Sequence, residues 1–407
     1  MYVPRAIEDR VAEASEQFPV ILVTGPRQVG KTTLLRHLCG EERRYVTLDD
    51  LSLRALANED PELFLQRFPP PVLIDEIQYA PPLLPYVKMR VDESREPGTF
   101  WLTGSQQFLM MQGITETLAG RVAIVHLLGF SAREADRRES RLEPFSPIAA
   151  NVEKRAETAA PTEIHGIFER IWRGSHPVLT AGPVTDRDLY YSSYLQSYLQ
   201  RDVRDLAQVG SQEAFLRFLK ACAARTAQLL NLSDLARDVD VAVTTAKDWL
   251  SILEASFQVI LLRPFHSNVT QRLVKAPKLY FLDTGLASYL TEWSTAETLE
   301  AGAMAGPMLE TWVLAEILKS YWHRLETPRL YFYRDKDGKE IDFLFTRDGR
   351  LHPVEVKLAA TPRRDWVKNF SALEKFPEEV GEGAVLCLSP EIRPLTERAS
   401  ALPVGLL

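Results

Sequence analysis

The sequence predicts an α/β protein: a parallel sheet with helices packed on it, a helical region, and a second α/β unit. Three observations carry this. First, apolar runs bounded by turn residues, Val20-Ile21-Leu22-Val23, Tyr45-Val46-Thr47-Leu48, Val72-Leu73-Ile74 and Thr99-Phe100-Trp101-Leu102, alternate with helical patterns, as parallel strands with crossover helices do. Second, Ser211 to Ala227, Leu232 to Val239 and Val243 to Ser256 read as three successive helices that lead into the β-like run 257–262, a pattern similar to a winged helix. Third, an amphipathic helix over Met308 to Tyr321 precedes strand patterns at Leu330 to Tyr333, Glu340 to Thr346 and Leu351 to Leu358.

The length of 407 residues fits two or three globular units at roughly 100–200 residues each. The expected boundaries are 1–137 for the first unit, 164–300 for the helical region and 301–407 for the last. Between the first two, over 138–163, charges, Ala and Pro replace apolar periodicity and suggest a linker or variable segment. With 48 Lys plus Arg against 55 Asp plus Glu the formal charge is −7, which argues against a broad polyanion-binding surface and leaves room for a local basic patch. Cys39, Cys222 and Cys387 lie far apart with neither disulfide nor zinc spacing, which fits a reducing compartment. No apolar run approaches the roughly 18 residues of a membrane span, so a cytoplasmic protein without membrane contact is expected.

The run Gly25-Pro26-Arg27-Gln28-Val29-Gly30-Lys31-Thr32 fits G-x-x-x-x-G-K-[ST], with an apolar strand before it and helical residues from Thr33 onward. Its glycines let backbone N–H groups curl round phosphate, Lys31 would reach the β and γ oxygens, and the Thr32 hydroxyl would ligate Mg²⁺. Pro71-Val72-Leu73-Ile74-Asp75-Glu76 is a buried-strand pattern ending in two carboxylates. Asp75 would hold Mg²⁺ through water, and Glu76 would orient or deprotonate the attacking water. The pattern is thus that of an ATP- and Mg²⁺-dependent P-loop site. Next comes Leu102-Thr103-Gly104-Ser105-Gln106, a strand ending in polar groups, where Ser105 is the first choice and Gln106 the second for a γ-phosphate sensor; an ordinary polar strand end is the other reading. Arg121 opens the strand Val122 to Leu127. It is read either as an arginine finger acting on a neighbouring subunit, which requires a homo-oligomer, or as a structural ion pair.

These residues resemble bacterial and archaeal AAA-type ATPases whose C-terminal half is a conserved domain of unknown function with a restriction-endonuclease-like end. The matching stretches are Val23 to Leu34, Ile74 to Pro81, Leu102 to Gln106, Leu118 to Arg121 and Lys278 to Leu286. The resemblance implies a P-loop NTPase (AAA-like) sheet at the start of the chain. One departure from the family pattern, Gly174-Ser175-His176-Pro177 in place of two glycines before an aromatic and proline, is expected to lie away from the nucleotide site, as is the variable segment.

In the last unit, Asp348-Gly349 between two apolar alternations is a two-residue hairpin signal that fixes register. Arg347 then faces Arg350, Thr346 faces Leu351, Asp342 faces Glu355 and Glu340 faces Lys357. Opposed carboxylates repel unless a proton or cation lies between them, and a divalent metal is the simplest resolution. Asp342, Glu355 and Lys357 therefore resemble the PD-(D/E)XK nuclease core, in which the two acids hold Mg²⁺ and the lysine assists the attacking water; Glu310, on the preceding helix, is the natural extra acid of that fold. The alternative is a Glu340–Lys357 cross-strand ion pair. Pro353 lies inside the second strand, where a bulge would shift this pairing by one residue. For nucleic acid, Thr244, Thr245 and Lys247 would lie on the open side of a recognition helix, and Arg263, Arg272, Lys275 and Lys278 are the better cationic contacts; the other reading is that these helices only pack domains together. Three functions remain open: an ATPase coupled to a nucleic-acid-binding or nuclease-like module, an ATP-regulated metal-dependent DNA nuclease, and an ATP-switched protein-interaction scaffold.

Overall fold

The computed structural model describes residues 2–104, 117–138, 141–159, 163–199, 211–266 and 275–407. The first unit is a five-stranded, all-parallel sheet of β1 (Val20–Thr24), β2 (Arg44–Thr47), β3 (Val72–Asp75), β4 (Phe100–Gly104) and β5 (Val122–His126), in the order β2-β3-β4-β1-β5. β1, β3 and β4 are buried along their whole length, which is why they read as unbroken apolar runs. Alternate residues of β1 serve two cores, Val20 and Leu22 on one face of the sheet and Ile21 and Val23 on the other. The phosphate-loop motif, Asp75-Glu76 and Thr103-Gly104 all lie at the carboxyl ends of adjacent strands, where open α/β sheets place ligands.

The second unit sets helices Gln212–Ala223, Leu232–Asp238 and Val243–Ala255 beside a small antiparallel sheet of β6 (Gln228–Leu229), β7 (Val259–Leu262) and β8 (Lys278–Phe281), ordered β6-β8-β7. Tyr191, Tyr194 and Tyr198 of helix Arg187–Tyr198 are core residues.

The last unit is a seven-stranded mixed sheet of β9 (Leu330–Arg334), β10 (Glu340–Arg347), β11 (Arg350–Lys357), β12 (Glu379–Val380), β13 (Gly383–Cys387), β14 (Arg393–Pro394) and β15 (Ala399–Pro403). The β10–β11 register runs from Arg347 opposite Arg350, through Thr346 opposite Leu351, to Phe343 opposite Val354. Pro353 sits in register opposite Leu344 without a bulge; the register shift lies on the other edge, where β10 slips against β9 between Ile341 and Leu344.

Two expectations about organisation need correcting. Helix Ala305–Trp322 is not amphipathic: Met308, Leu309, Trp312, Val313, Leu314, Ile317 and Leu318 bury it on nearly every side, as a helix apolar all round requires. It lies inside one hydrophobic core that runs from Phe168 and Tyr191 through Leu253 and Trp312 to Phe345 and Leu402, so the helical and last units share their interior. The segment read as a linker contains helix Ala149–Glu157, with Phe145 and Val152 in that same core. Arg133 and Arg155 fasten it by donating to the Leu406 carbonyl, at 3.0 and 3.2 Å. No helix among the described residues is long and apolar enough to cross a membrane.

A buried ion pair secures the start of the chain to the end of the first unit. Arg5 Nε lies 3.0 Å from Glu134 Oε1, and the Ala6 and Ser131 N–H groups donate to the same carboxylate. Burial alone would raise the Glu134 pKa, but Arg5, His323 and the two amides outweigh it and hold the group at about 2. A depressed folded-state pKa contributes stability above the unfolded value that is lost as pH falls through the folded one, here on the order of 3 kcal/mol between about pH 5 and pH 2. Thermal unfolding midpoints are therefore expected to fall over that window in the wild type and to fall less in Glu134→Gln, which starts lower. Parallel curves for the two proteins would contradict this.

Candidate functional sites

The loop from Gly25 to Gly30 joins β1 to helix Lys31–Leu38, and its glycines are required by geometry. A Cβ on Gly25 would lie 1.9 Å from the Leu127 carbonyl oxygen, and Gly30 adopts φ +92°. Pro26 and Val29 are buried, Arg27, Thr32 and Gly30 half-buried, and Gln28 and Thr33 exposed. Lys31 is buried, and its ammonium donates to the Gly25 and Pro26 carbonyls at 3.0 and 2.7 Å.

Asp75 collects four hydroxyl groups. Oδ1 accepts from Thr32 Oγ1 at 2.6 Å and from Thr103 Oγ1 at 2.5 Å; Oδ2 accepts from Tyr45 Oη and Thr47 Oγ1 at 3.2 and 3.4 Å. The proposed Mg²⁺ ligands Thr32 and Asp75 are thus brought together, and their hydroxyl and carboxylate oxygens suit a hard cation. Glu76 is held in the left-handed region at φ +59°, with its N–H donating to Thr103 Oγ1 at 3.0 Å and its carboxylate accepting from Gln78. A non-glycine residue in that conformation costs about 1–3 kcal/mol and marks a position fixed by its surroundings. Thr103 and Tyr45 were not anticipated; Thr103 had a signal, since it falls in the strand end singled out for Ser105. Ser105 and Gln106 lie outside the described residues.

A cavity of about 200 Å³ adjoins the loop, lined by Val3, Arg5, Gly30, Thr33, Pro177 and Val178 among others. It brings residues of the second unit to the nucleotide site and corrects the expectation that Gly174-Ser175-His176-Pro177 lies elsewhere. His176 is buried, and its Nδ1 meets no hydrogen-bond partner among the described residues. Arg121 lies at the start of β5, the opposite end of the sheet from its own phosphate loop. Its Nε is 2.5 Å from Asp92 Oδ1, and Nη1 donates to the Ala119 carbonyl, so the structural ion pair is present.

The second constellation is at the junction of β8, β10, β11 and helix Ala305–Trp322. Lys278 of β8, expected at a nucleic-acid surface, is buried; its ammonium lies 3.2 Å from Glu310, 2.6 Å from Glu340 and 3.8 Å from Asp342. Tyr280 Oη donates to Glu310 Oε1 at 2.5 Å. Asp342 Oδ2 accepts from the Val356 N–H at 2.8 Å, and Lys357 Nζ lies 2.5 Å from Glu355 Oε2. Lys357 is therefore not the partner of Glu340, which instead turns to Lys278 and, at 3.4 Å, to Arg334.

Four carboxylates, Glu310, Glu340, Asp342 and Glu355, still outnumber Lys278, Lys357 and Arg334. Burial and the neighbouring Asp342 push the Glu310 and Glu355 carboxyl groups well above the usual range. Buried Glu355 Oε1 meets no donor among the described residues, an atom positioned for a proton or a cation. Thr244 and Lys247 are exposed and Thr245 half-buried. Arg263 and Lys275 are exposed at the ends of the β7–β8 connection, and Arg272 lies outside the described residues.

Fold and first site together define a P-loop ATPase of the AAA class. Residues 17–135 match the model of an AAA domain, 164–297 a domain of unknown function (DUF8612) and 305–407 another (DUF4143). Over 356 residues the chain is 30% identical to the uncharacterized protein Rv2008c of Mycobacterium tuberculosis and to its counterpart Mb2031c of Mycobacterium bovis, covering 87% of this chain and 73% of each relative. The chain belongs to the family of these two mycobacterial proteins. Among solved structures, a Walker-type ATPase of Pyrococcus abyssi aligns over 71% of this chain and 96% of its own at 16% identity and a TM-score of 0.44. The RuvB Holliday junction branch migration motor of Thermotoga maritima aligns over 62% and 88%, at 15% identity and a TM-score of 0.30.

Proposed function

We propose that this chain is an Mg²⁺-dependent ATPase whose nucleotide cycle is coupled to a nucleic-acid-binding or nuclease-like C-terminal module. The observation that carries the ATPase reading is the network Thr32–Asp75–Thr103–Glu76, which joins the ends of β3 and β4 to the first turn of the helix after the phosphate loop. In this reading the loop amides and Lys31 bind the phosphates, and the 200 Å³ cavity takes the base. Thr32 and Asp75 would hold Mg²⁺, which when bound neutralises charge developing on the phosphates. Glu76, fixed by Thr103 and Gln78, orients the water and takes its proton. Mg²⁺-dependent phosphate release by the purified protein, abolished by chelation, is the test; no release with ATP and Mg²⁺ present contradicts the reading. Arg121 completes the site of a neighbouring subunit only if the Asp92 pair opens, and activity independent of protein concentration would exclude that role.

Coupling is supported by β8. Its Lys278 and Tyr280 enter the carboxylate cluster, while Asp283, just beyond it, accepts from the Ser175 N–H and hydroxyl, both at 2.8 Å, two residues before Pro177, which lines the cavity at the phosphate loop. The three helices with β6, β7 and β8 support a winged-helix reading, with exposed Thr244 and Lys247 facing DNA.

A second reading, an active metal-dependent nuclease, is favoured by the unpartnered Glu355 Oε1. Asp342, Glu355 and Glu310 would hold Mg²⁺, and Lys357 would assist the attacking water. Nicking of plasmid or branched DNA with Mg²⁺ or Mn²⁺ is expected, reduced at least about a hundredfold in Asp342→Ala and Glu355→Ala. If neither metal supports cleavage of any DNA form, the cluster is a scaffold whose carboxylates Lys278 and Lys357 compensate.

A further inference from the structure

A phosphate loop works only when its N–H groups converge on the anion, so the carbonyls of the same peptide planes face outward and need partners there. The plane joining Val29 to Gly30 supplies the Gly30 N–H, one residue before Lys31. In a trans peptide the C=O and N–H point in opposite directions, so a contact that holds the Val29 carbonyl also aims the Gly30 N–H. Arg5 makes that contact: its Nη1 donates to the Val29 carbonyl at 3.0 Å, from 24 residues away in the chain. The backbone on either side is in the left-handed region, Gln28 at φ +61° and Gly30 at φ +92°, and such a conformation persists only where its surroundings impose it.

Arg5 is buried, and the rest of its guanidinium is engaged as well. Nε donates to Glu134 Oε1 at 3.0 Å, and Nη2 donates to the Leu128 and Gly129 carbonyls at 2.9 and 3.3 Å. Those two carbonyls belong to the segment after β5 that also borders the start of the loop. There the Leu127 N–H donates to the Thr24 carbonyl at 2.8 Å, and a Cβ on Gly25 would lie 1.9 Å from the Leu127 carbonyl oxygen. One planar fork therefore ties the end of the phosphate loop to the segment packed on its beginning, which a single ammonium cannot span. The fork is itself anchored: the guanidinium lies 4.8 Å from the centre of the Phe130 ring, the Arg5 N–H donates to Glu8 Oε1 at 2.6 Å, and Tyr2 stacks on His37 of helix Lys31–Leu38 with ring centroids 3.9 Å apart.

We propose that Arg5 is a positioning residue for nucleotide binding: by holding the Val29 carbonyl it orients the Gly30 N–H toward phosphate, so that ATP affinity depends on a residue that precedes the first strand. This rests on the ATP reading and adds that the start of the chain completes the loop. Because the contact acts on loop conformation and touches neither Glu76 nor the attacking water, its loss raises KM far more than it lowers kcat.

The test is steady-state ATP hydrolysis, with ATP binding measured in a Glu76→Gln background and thermal unfolding of every variant, for wild type, Arg5→Lys and Glu134→Gln. Arg5→Lys keeps a charge for Glu134 and loses the fork; it is expected to raise KM and Kd for ATP about tenfold, the worth of one charge-assisted hydrogen bond, with kcat within about threefold. Glu134→Gln breaks the ion pair but leaves the donor to Val29, so it should lower the unfolding midpoint while Kd stays within about threefold. Unchanged KM and Kd in Arg5→Lys overturn the proposal. So does a loss of affinity that follows the loss of unfolding midpoint equally in Arg5→Lys and Glu134→Gln, which is what a purely structural arginine gives. Should Arg5→Lys fail to fold, Arg5→Gln combined with Glu134→Gln leaves no unpaired buried charge and makes the same comparison against Glu134→Gln alone. If the wild type binds no ATP, the nucleotide reading itself fails, whereas wild-type binding with an indifferent Arg5 removes only its positioning role.

Discussion

Lys31→Ala is expected to abolish measurable ATP binding. The ammonium is held against the loop by the Gly25 and Pro26 carbonyls, so it is pre-placed at the loop and little side-chain entropy is lost when phosphate arrives. Charge-assisted contacts to phosphate oxygens are worth about 1.5–3 kcal/mol each. Loss of two of them weakens binding by about a hundredfold to ten-thousandfold. Calorimetric titration of ATP into the folded variant checks this, with an unfolding midpoint to show that the fold survives; affinity within tenfold of wild type would remove Lys31 from the site.

Glu76→Gln should separate binding from turnover. The backbone at Glu76 is fixed by its N–H bond to Thr103, and Gln78 donates to the side-chain oxygen, which glutamine still offers. The substitution is therefore nearly isosteric and changes only the capacity to take a proton. Turnover should fall by about 10²–10⁴ while ATP affinity stays within about threefold. Undiminished phosphate release would sink the assignment of Glu76 as base. Equal losses of binding and turnover would make it a structural residue at the bend after β3.

How much of this was legible in the sequence follows from how local each feature is. The phosphate loop, Asp75-Glu76 and the Asp348-Gly349 hairpin are short-range patterns whose geometry is set by neighbours in the chain, and the register around Thr346 and Leu351 follows from the turn alone. Lys278 shows what was not legible. Read by itself it is a basic residue at a strand edge; only the packing of β8 against helix Ala305–Trp322 and β10 turns it into the buried counter-ion of Glu310, Glu340 and Asp342. Arg5 is hidden for the same reason, since it meets the loop across a long stretch of chain. The segment Gly174-Ser175-His176-Pro177 did leave a trace, as a departure from the family pattern, but that Pro177 lines the cavity beside Gly30 could not be read without the fold. The shared core was invisible because Met308 to Tyr321 carries enough polar residues to mimic a surface helix, although Glu316 and Lys319 pair with each other in the interior at 2.8 Å.

The measurement that bears most directly on the coupling of the two sites is ATP turnover by the wild-type protein with and without single-stranded, duplex and branched DNA, at low and moderate salt. At least one DNA form should raise turnover several-fold, with the effect fading as salt rises, because a local basic contact releases counterions on binding. Turnover that is intact but indifferent to every DNA form, with no salt-dependent binding, would contradict a nucleic-acid module and leave ATP to switch the presentation of a protein partner.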